Sequence, residues 1–330
     1  MLIKIAGKDF ASAMEDLRRL KPISLSFSVK GDTLTLASSG NMQYIKDIRI
    51  LESVDKIETV MCVLYTDVSS LIKSRDTVSI SFDYMQLDFK VGGYNFSFPI
   101  SEEVVTIQRP PDMQHEDFGD TDSLCKTLRG KAVVSLFQKE LQREPVLCCT
   151  ESRCYVTFPT VWAYYPQSCL ECALTAEQAK TIAWFEPESF IHTDALYLFK
   201  GTATLVVQAE HVKGDIPNDF VEKWKTLDRK CTLDMSGTLT SAKKLLSCLG
   251  DSECVVYVTD DGLFFHVSKG NISLKEEITG ELKYSFETRL SYMVAILQDL
   301  GNYGNTEVFG DADLVLFHKY DTVIMLSVRR

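Results

Sequence analysis

Asp76-Thr77-Val78-Ser79-Ile80-Ser81-Phe82-Asp83-Tyr84-Met85-Gln86-Leu87-Asp88-Phe89 reads as two β-strands joined by a tight turn. Val78, Ile80 and Phe82 alternate with polar neighbours, which gives the first strand one apolar face. After the break, Leu87 and Phe89 resume the alternation. Gly92-Gly93 supplies a second turn, and Tyr94, Phe96 and Phe98 a third strand. The stretch is a three-strand meander. Just upstream, Asp67 to Lys73 reads as a short helix capped by Asp67 or Thr66.

The same grammar recurs twice. Thr175 to Ile182 is a helix opened by a capping-box Thr with acid and amide side chains close behind. It is followed by Ser189-Phe190-Ile191-His192, a turn at Thr193-Asp194, Leu196 to Phe199, a turn at Lys200-Gly201 and Leu205 to Val207. The third copy starts with a helix from Arg289 to Leu300. It continues with Thr306 to Phe309, a turn near Asp311, Leu314 to Phe317, a turn at Lys319-Tyr320-Asp321 and Val323 to Val328. Leu87, Leu196 and Leu314 hold equivalent places, 109 and 118 residues apart.

The front halves match as well. Ile23 to Ile50, Pro145 to Tyr165 and Cys254 to Leu274 each predict two strands, around Lys30-Gly31-Asp32, Glu151-Ser152-Arg153 and Asp260-Asp261-Gly262. Helical candidates precede them at Asp9 to Leu20, Gly130 to Leu141 and Thr240 to Leu249. Each copy therefore reads strand, helix, strands, helix, strands. The boundaries predicted are 1–112, 120–211 and 228–330, with polar linkers at 113–119 (behind Pro110-Pro111) and 212–227 (with Pro217).

Composition sets what else is possible. The 330 residues are 45% apolar and 25% charged, as in a soluble protein with several cores. No run approaches the roughly 18 apolar residues of a membrane span. Met1 to Gly7 alternates like a strand and meets Lys8 and Asp9, unlike a secretory signal, so a cytoplasmic protein is expected. The net charge of −11 excludes a broadly basic exterior but not one basic surface. Ten cysteines in such a compartment stay reduced. Cys148, Cys149, Cys154, Cys169 and Cys172 include a CxxC that zinc could use. Leu170, Cys172 and Leu174 alternate, however, which sends Cys169 and Cys172 to opposite sides. Buried thiols acting as small apolar groups are the expectation, with no metal and no cofactor.

Catalytic signals are weak. There is no phosphate loop, GxGxxG or HExxH, and His115, His192, His211, His266 and His318 are scattered. Glu102-Glu103, Asp260-Asp261 and Glu276-Glu277 read as solvated turns and faces. Trp162-Ala163-Tyr164-Tyr165 has the rings to stack on bases, but packing is the commoner fate of aromatics.

A threefold repeat of a roughly 110-residue β-rich unit with two helices resembles the DNA polymerase III β subunit family, the β sliding clamps of bacterial or phage type. The resemblance covers the whole chain. Its best local matches are Leu87 to Ile100, ending Tyr94-Asn95-Phe96-Ser97-Phe98-Pro99-Ile100, and the terminal strand Thr322 to Arg330. Ile324, Leu326, Val328 and Arg329 fit the family's apolar strand and basic end, whereas Ser327 stands where the family has proline.

What the resemblance implies is an α+β DNA clamp fold of three repeated domains that form a ring on oligomerisation. The chain would be a head-to-tail homodimer pairing edge strands of its first and third units. It would be no enzyme, but a processivity factor that encircles duplex DNA without reading sequence. Basic residues of its helices would face the channel: Arg18, Arg19, Lys73, Arg75, Lys126, Arg129, Lys131, Lys139, Arg143, Lys243, Lys244 and Arg289. Each also reads as a solvated residue at a helix end favoured by the dipole. A DNA polymerase and a clamp loader would bind by a short peptide motif. Its groove would be formed by Thr157, Pro159, Trp162, Pro217, Phe220, Val221, Ile324, Leu326 and Val328. The rival readings are a clamp-like recruitment scaffold without a replicative role, and an enzyme dependent on the cysteine cluster or a metal.

Overall fold

The computed structural model of the chain describes residues 1–53, 58–68, 77–83, 85–102, 105–117, 121–128, 147–149, 153–157, 160–166, 170–211, 218–301 and 304–328. In chain order the elements begin β1 (Leu2–Ile5), α1 (Gly7–Leu20), β2 (Ser24–Lys30), β3 (Thr33–Ser38), β4 (Met42–Ser53), β5 (Thr59–Leu64), α2 (Tyr65–Val68), β6 (Val78–Phe82), β7 (Gln86–Val91) and β8 (Tyr94–Pro99). The middle of the chain gives β9 (Glu116–Asp117), α3 (Thr121–Leu128), β10 (Leu147–Cys149), β11 (Arg153–Thr157), β12 (Val161–Pro166), β13 (Cys172–Leu174), α4 (Ala176–Phe185), β14 (Ser189–His192), β15 (Leu196–Lys200), β16 (Ala203–Val207) and β17 (Glu210–His211). The last part gives α5 (Asn218–Thr226), β18 (Asp228–Asp234), α6 (Thr238–Leu249), β19 (Glu253–Thr259), β20 (Leu263–Lys269), β21 (Ile272–Lys275), β22 (Leu282–Arg289), α7 (Leu290–Leu300), β23 (Asn305–Gly310), β24 (Leu314–Lys319) and β25 (Thr322–Ser327).

Two compact units divide these elements. The first holds Met1–Thr121 and Phe185–Ala209; the second holds Asp122–Trp184 and Glu210–Arg330.

The first unit is one antiparallel sheet in the order β8-β7-β6-β1-β4-β16-β15-β14-β9, with β3, β2 and β5 branching from β4. Strand β4 is long enough to serve three partners. Its N-terminal part pairs β16 (Tyr44↔Leu205), its middle pairs β3 (Ile48↔Leu34) and its end pairs β1 (Glu52↔Lys4). Helix α1 puts Phe10, Ala13, Met14 and Leu17 at helical spacing, all buried, so one stripe closes a core. The Phe89 ring is the hub, with ring centroids 5.8 Å from Phe10, 5.5 Å from Phe27 and 5.6 Å from Phe98. A second apolar cluster (Ala37, Ile45, Cys62, Tyr197 and Val206 among others) is joined by Val105 from the segment after β8. That segment is strapped down. Gln43 Nε2 donates to Thr106 O at 2.9 Å, Gln43 Oε1 accepts from Gln108 N at 2.8 Å, and Arg109 reaches Asp47 at 2.9 Å.

The second unit has a sheet in the order β17-β13-β10-β11-β12-β25-β24-β23-β18 and a smaller one ordered β21-β20-β19-β22. The apolar faces of α6 and α7 are buried, with Leu239, Ala242 and Leu249 on one helix and Leu290, Met293, Ile296 and Leu297 on the other. A lysine serves each helix's C-terminal end, where unpaired carbonyls and the helix dipole favour a cation. Lys269 Nζ donates to Leu249 O at 2.6 Å and Lys319 Nζ to Gly301 O at 3.0 Å. The predicted capping box stands before α4: Gln178 N donates to Thr175 Oγ1 at 3.2 Å and Thr175 N to Gln178 Oε1 at 2.8 Å.

Several expectations need correction. Each front half has three strands, not two: β2–β4, β10–β12 and β19–β21. The second turn in the first of these comes at Gly40, with φ of 122°, and in the last at Gly270, with φ of 60°. The polar stretch 212–227 contains helix α5. The helix predicted at 130–141 lies outside the described residues, as does the part of the predicted 67–73 helix beyond Val68. The middle repeat falls into both compact units, 122–184 in one and 185–209 in the other.

Candidate functional site

Two features stand apart from core packing, exposed basic helix faces and open sheet edges; a third, an aromatic sheet face, is a buried cluster whose rim of Tyr155, Trp162 and Trp224 is only partly covered. On α1 the buried stripe leaves Arg18 and Arg19 exposed, and Lys21 closes the helix in a left-handed conformation, its N–H on Leu17 O. On α6 the buried stripe leaves Lys243 and Lys244 exposed, and the helix contains no acid. Arg289 differs from these. It ends β22, 3.6 Å from Asp251, so its charge is partly engaged. Lys73, Arg75, Arg129, Lys131, Lys139 and Arg143 lie outside the described residues, as does the side chain of Lys126 on α3.

Among the strands at sheet edges are β8 in the first unit and β21 in the second. Tyr94 on β8 is 72% exposed, and Ile272 and Leu274 on β21 are 57% and 42% exposed. Apolar side chains beside an unsatisfied row of backbone donors and acceptors invite another strand.

The aromatic face belongs to the second unit. Register puts Trp162 opposite Met325 and Tyr164 opposite Val323, while Ala163 faces Ile324 and Val161 faces Leu326. Opposed residues share a face. Trp162, Tyr164, Val323 and Met325 therefore form one surface, completed by Tyr155, Leu316 and, from α5 and its end, Trp224 and Leu227. Lys223 Nζ sits 4.2 Å from the Trp162 ring centroid, and Trp224 meets His318 edge-on at 5.2 Å. His318 Nδ1 is in turn 3.0 Å from Glu307 Oε2.

Ile324 and Leu326 point the other way and are fully buried, so the structure does not bring them together with Trp162. Val328 is half-buried, its N–H donating to Asp313 O at 2.8 Å. Thr157 is opposite Trp162 in the register. Pro159 and Pro217 lie outside the described residues, and so do the side chains of Thr157, Phe220 and Val221. The residues that share a face with Trp162, namely Val323, Met325, Trp224 and Leu227, are not among those read from the sequence, because the β12–β25 pairing that sets the face is not legible there.

Where β12 and β25 part, Ser327 N donates to Thr160 O at 2.8 Å. An open cleft of about 260 Å³ begins there, lined also by Glu253, Glu287, Thr288, Arg289 and Tyr292. Among the described residues no group of three or more His, Cys, Asp or Glu is placed to hold a metal, and no helix is long and apolar enough to cross a membrane.

No protein-family model matches the sequence, and no curated protein sequence matches it. Solved structures do. The chain is similar to the DNA polymerase sliding clamp from Caulobacter crescentus, with a TM-score of 0.81, 13% identity and 100% of both chains covered. It is similar to the DNA polymerase III subunit beta from Pseudomonas aeruginosa, with a TM-score of 0.78, 13% identity and the same coverage. A Helicobacter pylori β clamp bound to a DNA ligase peptide matches with a TM-score of 0.70, 14% identity and 100% of both chains. The fold is the DNA clamp fold, and the sequence has diverged far within it.

Proposed function

We propose that the chain is a DNA sliding clamp, a non-enzymatic processivity factor. Its three clamp domains (1–112, 120–211 and 228–330) would pair head to tail with those of a second copy, closing a cytoplasmic ring around duplex DNA. The observation that carries this reading is the pair of open, apolar edges β8 and β21 in a chain of this fold. Joining the edge of one copy to the other edge of the next would satisfy both ladders, and a head-to-tail pair would leave neither edge open. Arg18, Arg19, Lys243 and Lys244 would meet phosphates without reading bases, which permits sliding. Such a ring needs no cofactor.

The same reading gives a DNA polymerase and a clamp loader a place to dock. The partly exposed rim of the aromatic cluster at Trp162, with the cleft at Thr160 and Ser327 beside it, suits a short extended peptide with apolar anchors. The peptide-bound Helicobacter pylori clamp supports docking by a peptide here.

Retention on DNA tests the proposal. Loaded onto closed circular DNA, the protein should co-elute with it and be released when the circle is cut once. The quadruple variant Arg18→Glu, Arg19→Glu, Lys243→Glu, Lys244→Glu should stay dimeric and lose loading. Equal retention on linear and circular DNA would refute the ring.

A further inference from the structure

The second unit holds a row of thiols for which sliding on DNA has no use. Strands β13, β10 and β11 are neighbours in its larger sheet. Register makes Cys172 the cross-strand partner of Cys149, and Cys149 the partner of Cys154. All three therefore share one sheet face, and all three are buried and free. Cys149 Sγ and Cys154 Sγ are 2.9 Å apart. Cys148, next in sequence, faces the other way and is only half-buried.

The geometry points to an internal two-electron oxidation site centred on Cys149, which can close a disulfide with Cys154 or with Cys172. Opposed residues on antiparallel strands have Cα atoms about 4.5–5.5 Å apart. That lies within the roughly 4.4–6.8 Å that a disulfide spans. Cys154 and Cys172 sit two strands apart, about 9.5 Å, and cannot bridge without Cys149. A third thiol beside the pair also lets the bond exchange, since a free thiol can attack a neighbouring disulfide sulfur.

The oxidant required is a hydroperoxide such as hydrogen peroxide. One cysteine, as thiolate, attacks a peroxide oxygen, breaks the O–O bond and becomes a sulfenic acid, with hydroxide leaving and taking up the thiol's proton as water. The second thiol attacks that sulfur, the S–S bond forms, and the sulfenic oxygen leaves as a second water. In sum, two thiols and one hydrogen peroxide give one disulfide and two waters.

Burial decides the rate. The Cys149 thiol is held protonated by the neighbouring Cys154 thiol and by desolvation, and Cys172 by Cys149 and desolvation. Oxidation must therefore pass through opening of the β10–β11 hairpin, whose last pair is Cys149 and Cys154. Exposed Cys248 on α6 has no such barrier and serves as an internal clock.

The test uses the whole protein, hydrogen peroxide, alkylation of remaining thiols and disulfide mapping by mass spectrometry. Wild type should modify Cys248 first and then form a Cys149–Cys154 bond, with the loss of two titratable thiols. Cys154→Ser should divert the bond to Cys149–Cys172, and Cys149→Ser should leave no bond among the three positions. A Cys154–Cys172 bond in Cys149→Ser, or no bond to Cys149 in wild type once Cys248 is fully oxidised, would overturn the proposal. The wild-type map needs no substitution, so it decides even where a variant fails to fold.

Discussion

The Tyr165 hydroxyl donates to Asp299 Oδ2 at 2.7 Å, tying strand β12 to helix α7 across 134 residues of sequence. The first unit repeats the device: the Tyr44 hydroxyl on β4 donates to Asp16 Oδ2 on α1, also at 2.7 Å. In both, a fully buried ring carries a polar tip to a helix carboxylate. Such a bond fixes helix against sheet more sharply than apolar contact alone.

Removing that hydroxyl has a definite cost. Tyr165→Phe keeps the ring and leaves the Asp299 carboxylate short of a donor, so it should destabilise by about 1.5–3 kcal/mol, the range for hydrogen bonds to charged groups. Urea unfolding followed by circular dichroism measures it. A change within error of zero would show that water replaces the bond freely.

The tyrosines also predict an alkaline limit. Burial first, then the adjacent Asp charge, pushes the hydroxyls of Tyr44 and Tyr165 well above their ordinary value. Above about pH 10 the unfolded chain gives up these protons while the folded chain keeps them, so the folded state binds more protons. The stabilisation is complete below about pH 10 and is lost progressively as pH rises towards the folded values. Urea midpoints at stepped alkaline pH should fall more gently for Tyr44→Phe combined with Tyr165→Phe than for wild type.

Gly280 has φ of 78°, and a methyl group there would collide with the carboxylates of Asp260 and Asp261. Asp260 Oδ1 is already committed to Glu281 N at 2.7 Å. Gly201 has φ of 55° with nothing within 4 Å of its would-be Cβ. Gly201→Ala should cost about 1 kcal/mol from backbone strain alone. Gly280→Ala should cost clearly more, and equal thermal midpoints would show that the aspartates move aside without penalty.

The edge strand β21 offers a direct test of assembly. Leu274→Lys puts a charge on a surface that is exposed in the single chain and that the proposed ring would bury. Light scattering at micromolar concentration should show wild type at twice 37.2 kDa and the variant at 37.2 kDa with unchanged circular dichroism. A dimeric variant would place the interface elsewhere.

The meander from Val78 to Phe98 was legible because turns and alternation agree, as were α1, α6 and α7, whose apolar residues keep one stripe. The groove was not. Val323, Ile324, Met325 and Leu326 are all apolar, so the sequence carries the two-residue period of β25 without its phase. Only the pairing of Met325 with Trp162 says which side faces the aromatic cluster. The covering role of Trp224 and Leu227 was hidden for a related reason: a helix amid charged residues resembles a spacer until its apolar contacts are known. Extra strands such as β4 were missed because its mixture of polar and apolar residues follows service to three partners, not one period.

The division of the middle repeat has a consequence for how such a chain can be taken apart. Residues 122–184 belong to one compact unit and 185–209 to the other, so the segment repeated in the sequence contributes strands to two different sheets. Excising it would strip β14, β15 and β16 from one sheet and β10 to β13 from another. A cut at the repeat boundaries would therefore lay bare a new edge in each unit, at β4 where β16 had paired and at β25 where β12 had paired.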